Sequence, residues 1–242
     1  LSPNKQALFE QAEDERTSPS LARLCSLART HNIFLSVGSL LMRDSNAEKC
    51  VNRGYLIGPS GEIIARYDKI HMFDATVGDG RTYNESERFQ RGQTPVLATT
   101  EIGNIGLTIC YDIRFPELYQ SLSQAGAHML LIPSAFTAIT GAAHWHVLQR
   151  ARAIETGCFV LSAAQIGTHA DGRQTYGHAM IIAPWGEVLN DAGESRQTAI
   201  TTEIDLAACA TVQIRHGTSS NRQPITPVQI TAGMLGFGKH KS

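Results

Sequence analysis

Apolar positions repeat with two different periods along the chain and predict alternating helices and strands. Residues 19–30 carry an apolar stripe at helical spacing, and Ser18 occupies the capping position before them. A second helix is predicted over 142–156, where Gly157 follows in the place that favours a left-handed cap. A shorter helical pattern covers 116–125.

Short apolar runs of strand length separate these helices. The segment 58–61 (GPSG) predicts a hairpin turn between two of them. Strands that alternate with helices, followed by strands without helices, indicate an α/β domain with layered, mixed sheets. The predicted strands cover residues 33–41, 50–57, 62–67, 105–110, 128–134, 159–164, 178–183, 187–190 and 199–204.

Composition adds limits on size and on binding partners. The chain has 242 residues, 42% of them hydrophobic and 18% charged, which is typical of one well-buried globular domain over 1–242. Residues 1–16 form a polar lead-in, and 223–242 are expected to be an irregular C-terminal arm. The net charge is −1 without a basic stripe, so neither nucleic acid nor an anionic membrane is an expected partner. No apolar run approaches the roughly 18 residues that a membrane span needs.

The cysteine pattern argues against disulfide bonds and against a metal site. Five cysteines lie at positions 25, 50, 110, 158 and 209, without a C-x-x-C pair. An odd, irregular set favours free thiols over a disulfide framework or a zinc site, and hence a reducing, cytoplasmic compartment. His144 and His146 are two apart on a predicted helix and face different directions, so they are not expected to form a metal pair.

Cys110 is the cysteine whose position suggests chemistry. It ends a predicted buried strand just before a turn into a helix, a place that points a side chain at a ligand crevice. The Tyr111 N–H in that turn could stabilise an oxyanion beside the sulfur. The alternative is a small hydrophobic core residue, as most free cysteines are. Lys69, amid apolar residues, either extends to water or is held in a pocket as a fixed positive charge.

Several motifs resemble one family of enzymes. Residues 67–74 (YDKIHMFD) resemble the lysine motif of the nitrilase superfamily of carbon–nitrogen hydrolases, and 105–117 resemble its cysteine motif. Segments 133–136, 150–156, 176–178 and 184–186 are similar to its Nit branch, nearest the deaminated-glutathione amidases, with the ω-amidases second. The resemblance extends in register from about residue 19 to residue 204. Agreement across separate motifs is far more specific than one short pattern.

The resemblance implies a four-layer αββα sandwich and a cofactor-free amidase. By position, Cys110 corresponds to the nucleophile and Lys69 to the cation beside the developing oxyanion. Glu85, seven residues before Gly92, corresponds to a further catalytic-site glutamate of the family, which lies near the lysine and helps to orient the substrate or the lysine. The implied reaction converts a small linear amide, carboxylate-bearing by expectation, to acid and ammonia through a cysteine thioester. A homodimer or higher homo-oligomer, paired through the helices flanking the cysteine motif, is also implied.

Arg114 is the expected recognition residue for a substrate carboxylate. An arginine on the turn after the nucleophile can form a bidentate pair with a carboxylate. The alternative is a structural ion pair with Asp112 or Glu117.

One family feature is missing from the chain. The general-base glutamate of the family lies in a Pro-Glu dipeptide after the first long strand, and no Pro-Glu precedes Phe115. Glu10, Glu13 and Glu15 lack that context and are not assigned the role. The expectation is that a strand–helix–strand unit of roughly 30 residues lies upstream of Leu1. The alternatives left open are an ω-amidase, a nitrilase, an N-carbamoyl hydrolase, or a non-catalytic binding or scaffold domain.

Overall fold

The computed structural model describes residues 5–43, 49–78, 80–195, 198–217, 221 and 223. The helices are α1 (Lys5–Gln11), α2 (Pro19–His31), α3 (Pro116–Gln124), α4 (Ala138–Thr156) and α5 (Ala207–His216), with short 3₁₀ helices at Glu85–Glu87 and Cys110–Arg114. The strands are β1 (Leu35–Ser36), β2 (Leu40–Arg43), β3 (Cys50–Ile57), β4 (Ile63–Asp68), β5 (Asp74–Thr76), β6 (Thr82–Asn84), β7 (Phe89–Gln90), β8 (Val96–Thr100), β9 (Gly103–Leu107), β10 (Met129–Leu131), β11 (Phe159–Ser162), β12 (Ile166–Thr168), β13 (Gln174–Tyr176), β14 (Met180–Ile182) and β15 (Val188–Asp191).

Two mixed sheets form the centre of the molecule. In the first, β1 and β2 pair with one edge of β3, while β4 and β7 pair with its other edge. The second has six strands in the order β15-β14-β11-β10-β9-β8, and the β9–β10 and β10–β11 pairs are parallel. Two small hairpins, β5–β6 and β12–β13, stand outside these sheets.

Three hydrophobic clusters arrange helices and sheets in four layers. Leu21 and Ala28 of α2 pack on the outer face of the first sheet. Leu56 and Tyr67 of that sheet meet the second sheet in a shared core. A third cluster joins the second sheet to α3 and α4, and Trp145 is fully buried in it. The predicted αββα order is therefore confirmed.

Local signals in the sequence placed two helix ends correctly. The Ser18 side chain accepts a hydrogen bond from the Leu21 N–H at 2.9 Å and so caps α2. Gly157 ends α4 with a φ of 65°, the left-handed conformation that glycine adopts without steric cost.

Other predicted elements differ in the structure. The strand predicted over 199–204 is wrong: exposed and half-buried residues alternate there, but the segment forms no β-ladder with the residues that the structure describes, and the Asn190 side chain donates to the Thr201 carbonyl. The strand predicted over 33–41 is split into β1 and β2. Helix α4 begins four residues before the predicted start, because Thr137 supplies its cap.

Some segments were not predicted, and one prediction lies outside the described residues. Helices α1 and α5, strand β8 and the β12–β13 hairpin had no assignment from the apolar pattern. The C-terminal arm over 223–242 lies outside the described residues except for Gln223. None of the helices within the described ranges is long and apolar enough to cross a membrane.

Candidate active site

Cys110 lies at a strained turn between the second sheet and α3. Its N–H donates to the Pro133 carbonyl at 2.9 Å, which continues the pairing of β9 with β10 beyond the strand's end at Leu107. Its φ of 51° is in the left-handed region, which residues other than glycine seldom occupy. Such backbone strain occurs where the surroundings force a conformation, often at functional sites.

Asp112 clamps this turn to the end of β4. Its buried carboxylate accepts hydrogen bonds from the Ile109 N–H (2.9 Å), the Tyr67 hydroxyl (2.7 Å) and the His71 N–H (3.0 Å), and the His71 ring contacts it at 2.7 Å. Burial and the Asp112 charge raise the pKa of Tyr67, so its hydroxyl stays a donor. The sequence analysis gave Asp112 no role beyond a possible partner for Arg114.

Arg152 of α4 holds the same turn from the other side. Its buried Nε donates to the Ile113 carbonyl at 2.8 Å, while its Nη1 pairs with Glu155 at 2.7 Å. The backbone around Cys110 is therefore fixed by charged groups from two layers. Such preorganisation is what a reacting side chain at this position would require.

Lys69 is a buried cation with one carboxylate partner. The side chain is 3% exposed, and its Nζ donates to Glu85 Oε2. The same Glu85 oxygen accepts the Phe73 N–H at 2.6 Å, so the carboxylate is fixed at two points. Burying an ammonium group is costly unless it is paired, which rules out the alternative in which Lys69 extends to water.

Gly92 brings the segment after Glu85 against Lys69. Its N–H donates to the Lys69 carbonyl at 2.8 Å. A Cβ at this position would lie 2.1 Å from the Asp68 carbonyl oxygen, a distance that no side chain could occupy. Glycine is therefore required for this close approach of two backbones.

A cavity of about 1320 Å³ joins these groups. Its lining includes Cys110, Lys69, Glu85, Tyr111 and Arg114. The five residues that the sequence analysis singled out thus share one cavity, although the sulfur and the ammonium are forty-one positions apart in the chain. The Tyr111 N–H lies in the first turn of a 3₁₀ helix, where N–H groups have no partner within the helix.

Arg114 is held by aromatic rings rather than by a carboxylate. Its guanidinium lies over Tyr111 and Phe136, 5.8 and 5.3 Å from the ring centroids, and its Nη2 is 3.3 Å from His144 Nδ1. No ion pair with Asp112 or Glu117 is present within the described part of the chain. The structural ion pair considered above is thus not formed, and the guanidinium keeps donors for a ligand.

The other cysteines differ from Cys110 in their surroundings. Cys50, Cys158 and Cys209 are buried, and burial raises the pKa of each of these thiols, that of Cys158 to about 11. A thiol is a nucleophile only as thiolate, so the raised pKa makes each of these three thiols less reactive. Cys25 is half-buried on α2 and does not line the cavity.

The N-terminal glutamates have structural roles. Glu13 accepts hydrogen bonds from the Ser18 and Ser20 hydroxyls at the start of α2. Glu15 pairs with Arg53 and Arg66 at 2.8 and 2.6 Å. Neither carboxylate lines the cavity, and Glu85 and Asp171 are the carboxylates that do so within the described ranges.

His146 forms a cluster that its spacing from His144 did not indicate. Its Nε2 lies 3.1 Å from Asp191 Oδ2, and His178 Nδ1 lies 3.0 Å from the same oxygen. Burial alone would raise the pKa of Asp191, but hydrogen bonds from His178, Gly193 and His146 lower it. The three side chains have the composition of a small metal site, with ligand atoms within 4.8 Å of one another. None of the three lines the cavity.

Comparison with known proteins identifies the family. A family profile described as "Carbon-nitrogen hydrolase" matches residues 3–213. This chain belongs to the carbon–nitrogen hydrolase family. The predicted superfamily is thereby confirmed.

Relatives and solved structures agree with this assignment. A deaminated glutathione amidase of Synechocystis sp. is 54% identical over 156 residues, which cover 64% of this chain and 57% of that protein. The deaminated glutathione amidase of Yersinia enterocolitica is 38% identical over 88% of this chain and 75% of its own length. The crystal structure of C. elegans NitFhit aligns with a TM-score of 0.82 at 38% identity, over 92% of this chain and 54% of that one. The chain therefore spans little more than half the length of the first of these relatives.

Proposed function

We propose that this protein hydrolyses small linear amides that bear a carboxylate, giving the acid and ammonia through a thioester on Cys110. The observation that carries the proposal is the single cavity shared by the strained Cys110 turn and the buried Lys69–Glu85 pair. The name shared by two relatives, deaminated glutathione amidase, supports the same reaction class and a substrate of that kind.

The proposed reaction begins at the sulfur. Cys110 Sγ attacks the amide carbonyl carbon, and the resulting oxyanion receives hydrogen bonds from Lys69 Nζ and the Tyr111 N–H. The tetrahedral intermediate expels the amide nitrogen, which leaves as ammonia with the proton that the Cys110 thiol gives up, and an acyl-thioester remains. Water then attacks the thioester, and a second oxyanion collapses to release the acid.

Lys69 and Glu85 act as a pair in this scheme. Glu85, fixed by the Phe73 N–H, orients the ammonium toward the cavity. In the family, another glutamate serves as the general base. Glu85 is not assigned that role because its carboxylate is engaged by the lysine, and no base is assigned among the described residues.

Arg114 is the proposed receptor for the substrate carboxylate. The rings of Tyr111 and Phe136 hold the guanidinium beside the nucleophile, so a bidentate pair with a carboxylate costs little side-chain entropy. The scheme needs no cofactor, since the sulfur, the ammonium and water supply the chemistry.

The same proposal includes a cytoplasmic homodimer. The helices flanking the cysteine turn are the expected interface, and the α4 residues Ile139 and Val147 are 50% and 69% exposed. Exposed apolar side chains on one helix face favour burial against a second copy.

The direct test is an ammonia assay with glutaramate, the monoamide of glutaric acid, on the full-length protein. We expect release of equal amounts of ammonia and glutarate, and none from a Cys110→Ala variant of unchanged circular dichroism. A folded wild-type protein that binds glutaramate and releases no ammonia would instead support the binding or scaffold alternative. Butyronitrile and an N-carbamoyl amino acid, assayed in parallel, distinguish the other branches of the superfamily.

A further inference from the structure

Three side chains from three different parts of the fold meet outside the cavity. His146 lies on α4, His178 lies between β13 and β14, and Asp191 ends β15. Asp191 Oδ2 is 3.1 Å from His146 Nε2 and 3.0 Å from His178 Nδ1. Within the described residues, the ion-pair partners of Asp191 are these two imidazoles. None of the three lines the cavity that holds Cys110, so the proposed reaction leaves this cluster without a role.

The separations between the ring nitrogens and the carboxylate are close to those around a zinc ion. Zinc binds histidine nitrogen and carboxylate oxygen at about 2.0–2.2 Å, so two ligand atoms of a tetrahedral site lie roughly 3.3–3.5 Å apart. The two nitrogen–oxygen distances here, 3.1 and 3.0 Å, are slightly shorter than that edge. The ligand atoms of all three residues lie within 4.8 Å of one another. Because 37% of the His146 side chain is exposed, its ring has room to rotate onto an ion.

The backbone of His178 is fixed by neighbours of the other two side chains. Its φ of 56° is in the left-handed region, which is costly for a residue other than glycine. Its N–H donates to the carbonyl of Gly193, two residues after Asp191, at 2.9 Å. Its carbonyl accepts the indole N–H of Trp145, the residue before His146, at 2.8 Å. The hydrogen bonds that hold this conformation therefore also bring the three side chains together.

The groups around the cluster orient its ligand atoms. The Gly193 N–H donates to Asp191 Oδ1 at 2.8 Å, while both imidazoles contact Oδ2. The Tyr176 ring stacks on His178 with centroids 4.4 Å apart, and it meets the His146 ring edge-on at 5.9 Å. A hydrogen-bonded carboxylate and an apolar wall are surroundings that orient metal ligands in proteins.

We propose that His146, His178 and Asp191 bind one zinc ion, which joins α4 to the second sheet. Two imidazole nitrogens with a carboxylate oxygen are a donor set that suits zinc. Each neutral imidazole can carry its proton on the ring nitrogen that faces away from the ion. Three protein ligands leave a fourth position for water, which reaches the partly exposed cluster.

The position of β15 in the sheet indicates what the ion does. Strand β15 is the terminal strand of the six-stranded order and pairs with β14. An ion held between Asp191 at the end of β15 and His146 on α4 fixes this edge strand to the helix layer. Its role is structural, since the cluster lies outside the cavity of Cys110.

Calorimetric titration with zinc chloride tests the site. The full-length Cys110→Ala protein is freed of metal with a chelator, so that the nucleophile cannot bind the ion. We expect one zinc ion per chain with a low-micromolar Kd or tighter, and no binding of magnesium, which prefers oxygen ligands. Asp191→Asn and His146→Gln should each weaken zinc binding by about 100-fold or more, since loss of an outer-shell partner alone costs about 10–100-fold. The control, His31→Gln at the exposed end of α2, should leave the Kd unchanged.

Two further measurements identify the ligands and the effect of the ion. X-ray absorption at the zinc edge should show nitrogen and oxygen at about 2.0–2.2 Å and no sulfur at about 2.3 Å. Zinc should raise the Tm of the parent protein and of His31→Gln, but not that of Asp191→Asn, because an ion that binds the folded state stabilises it. His146→Gln, on the helix surface, decides the question if Asp191→Asn does not fold.

Three results would overturn the proposal. They are absence of zinc binding, sulfur ligation, and equal zinc affinity in the parent protein and the Asp191→Asn or His146→Gln variant. A difference in Tm between parent and variant that zinc does not change would also overturn it, because the three side chains would then form a hydrogen-bonded cluster without an ion. Ammonia release is not measured in these experiments, so their outcome is independent of the proposed function.

Discussion

Asp68 and Lys69 are consecutive in the chain but belong to two different charge clusters. Asp68 accepts two hydrogen bonds from Arg53, at 2.6 and 2.9 Å, and Arg53 also pairs with Glu15. This outer cluster is partly exposed, and its charges neutralise one another. Lys69 is buried against Glu85 and lines the cavity with Cys110. Successive residues of an extended segment face opposite sides, which separates the two environments over one peptide bond.

The two clusters differ in how much hydrogen-bonding capacity remains after their own ion pairs have formed. In the outer cluster, Glu15 also accepts from Arg66 and from the Tyr55 hydroxyl, at 2.6 and 3.1 Å, so its oxygens are engaged by the protein. In the inner cluster, Glu85 is the carboxylate that pairs with Lys69 among the described residues, and both line the cavity that also holds Cys110. The outer cluster is therefore expected to stabilise the fold, while under the proposed function the Lys69–Glu85 pair retains hydrogen-bonding capacity for the substrate.

Removal of the cation from each cluster should produce the largest contrast. Lys69→Met is expected to lower kcat for glutaramate by about 10²–10³-fold or more, because an oxyanion donor is lost. Arg53→Met should keep kcat within a few-fold and reduce the free energy of unfolding by about 2–3 kcal/mol, since Asp68 loses its cation and Glu15 loses one of its two. Steady-state kinetics and urea unfolding check both. Equal loss of activity in the two variants would contradict the proposed difference in role between the two clusters.

Asp112→Asn tests the hydrogen bonds that join the Cys110 turn to the end of β4. An amide in place of the carboxylate presents N–H groups to N–H donors, so we expect a loss of about 2–3 kcal/mol in stability. Displacement of the Cys110 turn should lower kcat by about 10²-fold, with KM little changed. Asp68→Asn is the matched control in the outer cluster and should affect stability alone.

Arg114→Lys tests whether Arg114 binds the substrate carboxylate, without removing the positive charge at this position. A lysine keeps the cation but not the planar pair of donors, so KM for glutaramate should rise about 10-fold while kcat is retained. Butyramide, which lacks the carboxylate, should be processed equally by the two proteins. An unchanged KM for glutaramate would contradict the assigned role.

Glu15→Gln should have the smallest effect, and one that depends on pH. Burial alone would raise the pKa of Glu15, but hydrogen bonds from Arg66 and Arg53 lower it overall. Its contribution to stability is therefore present above the unfolded-state pKa of about 4.3 and is lost as pH falls through the lowered folded-state pKa. We expect a loss of about 1 kcal/mol at pH 7 that disappears in acid, measured by urea unfolding. If the loss of unfolding free energy did not depend on pH, the contribution of Glu15 would come from packing and not from its charge.

The sequence was most informative where local rules decide the outcome. Ser18 and Gly157 predicted helix ends because caps are local interactions, and Cys110 was singled out because a strand end before a turn is visible in the pattern. The alternation over 199–204 predicted a strand that does not form, because pairing depends on a neighbour that lies elsewhere in the chain.

The parts of the site that escaped prediction depend on long-range contacts. Asp112 lies one residue from Tyr111, yet its role depends on Tyr67 and His71, about forty positions away.

The most direct test of the central claim is detection of the acyl-enzyme. Full-length protein is mixed with excess glutaramate, quenched in acid within milliseconds, digested, and examined by mass spectrometry. The account predicts a glutaryl group on the peptide that contains Cys110, which decays as glutarate forms and is absent from Cys110→Ala. Continued release of ammonia by Cys110→Ala, or an acyl group on any other residue, would contradict it.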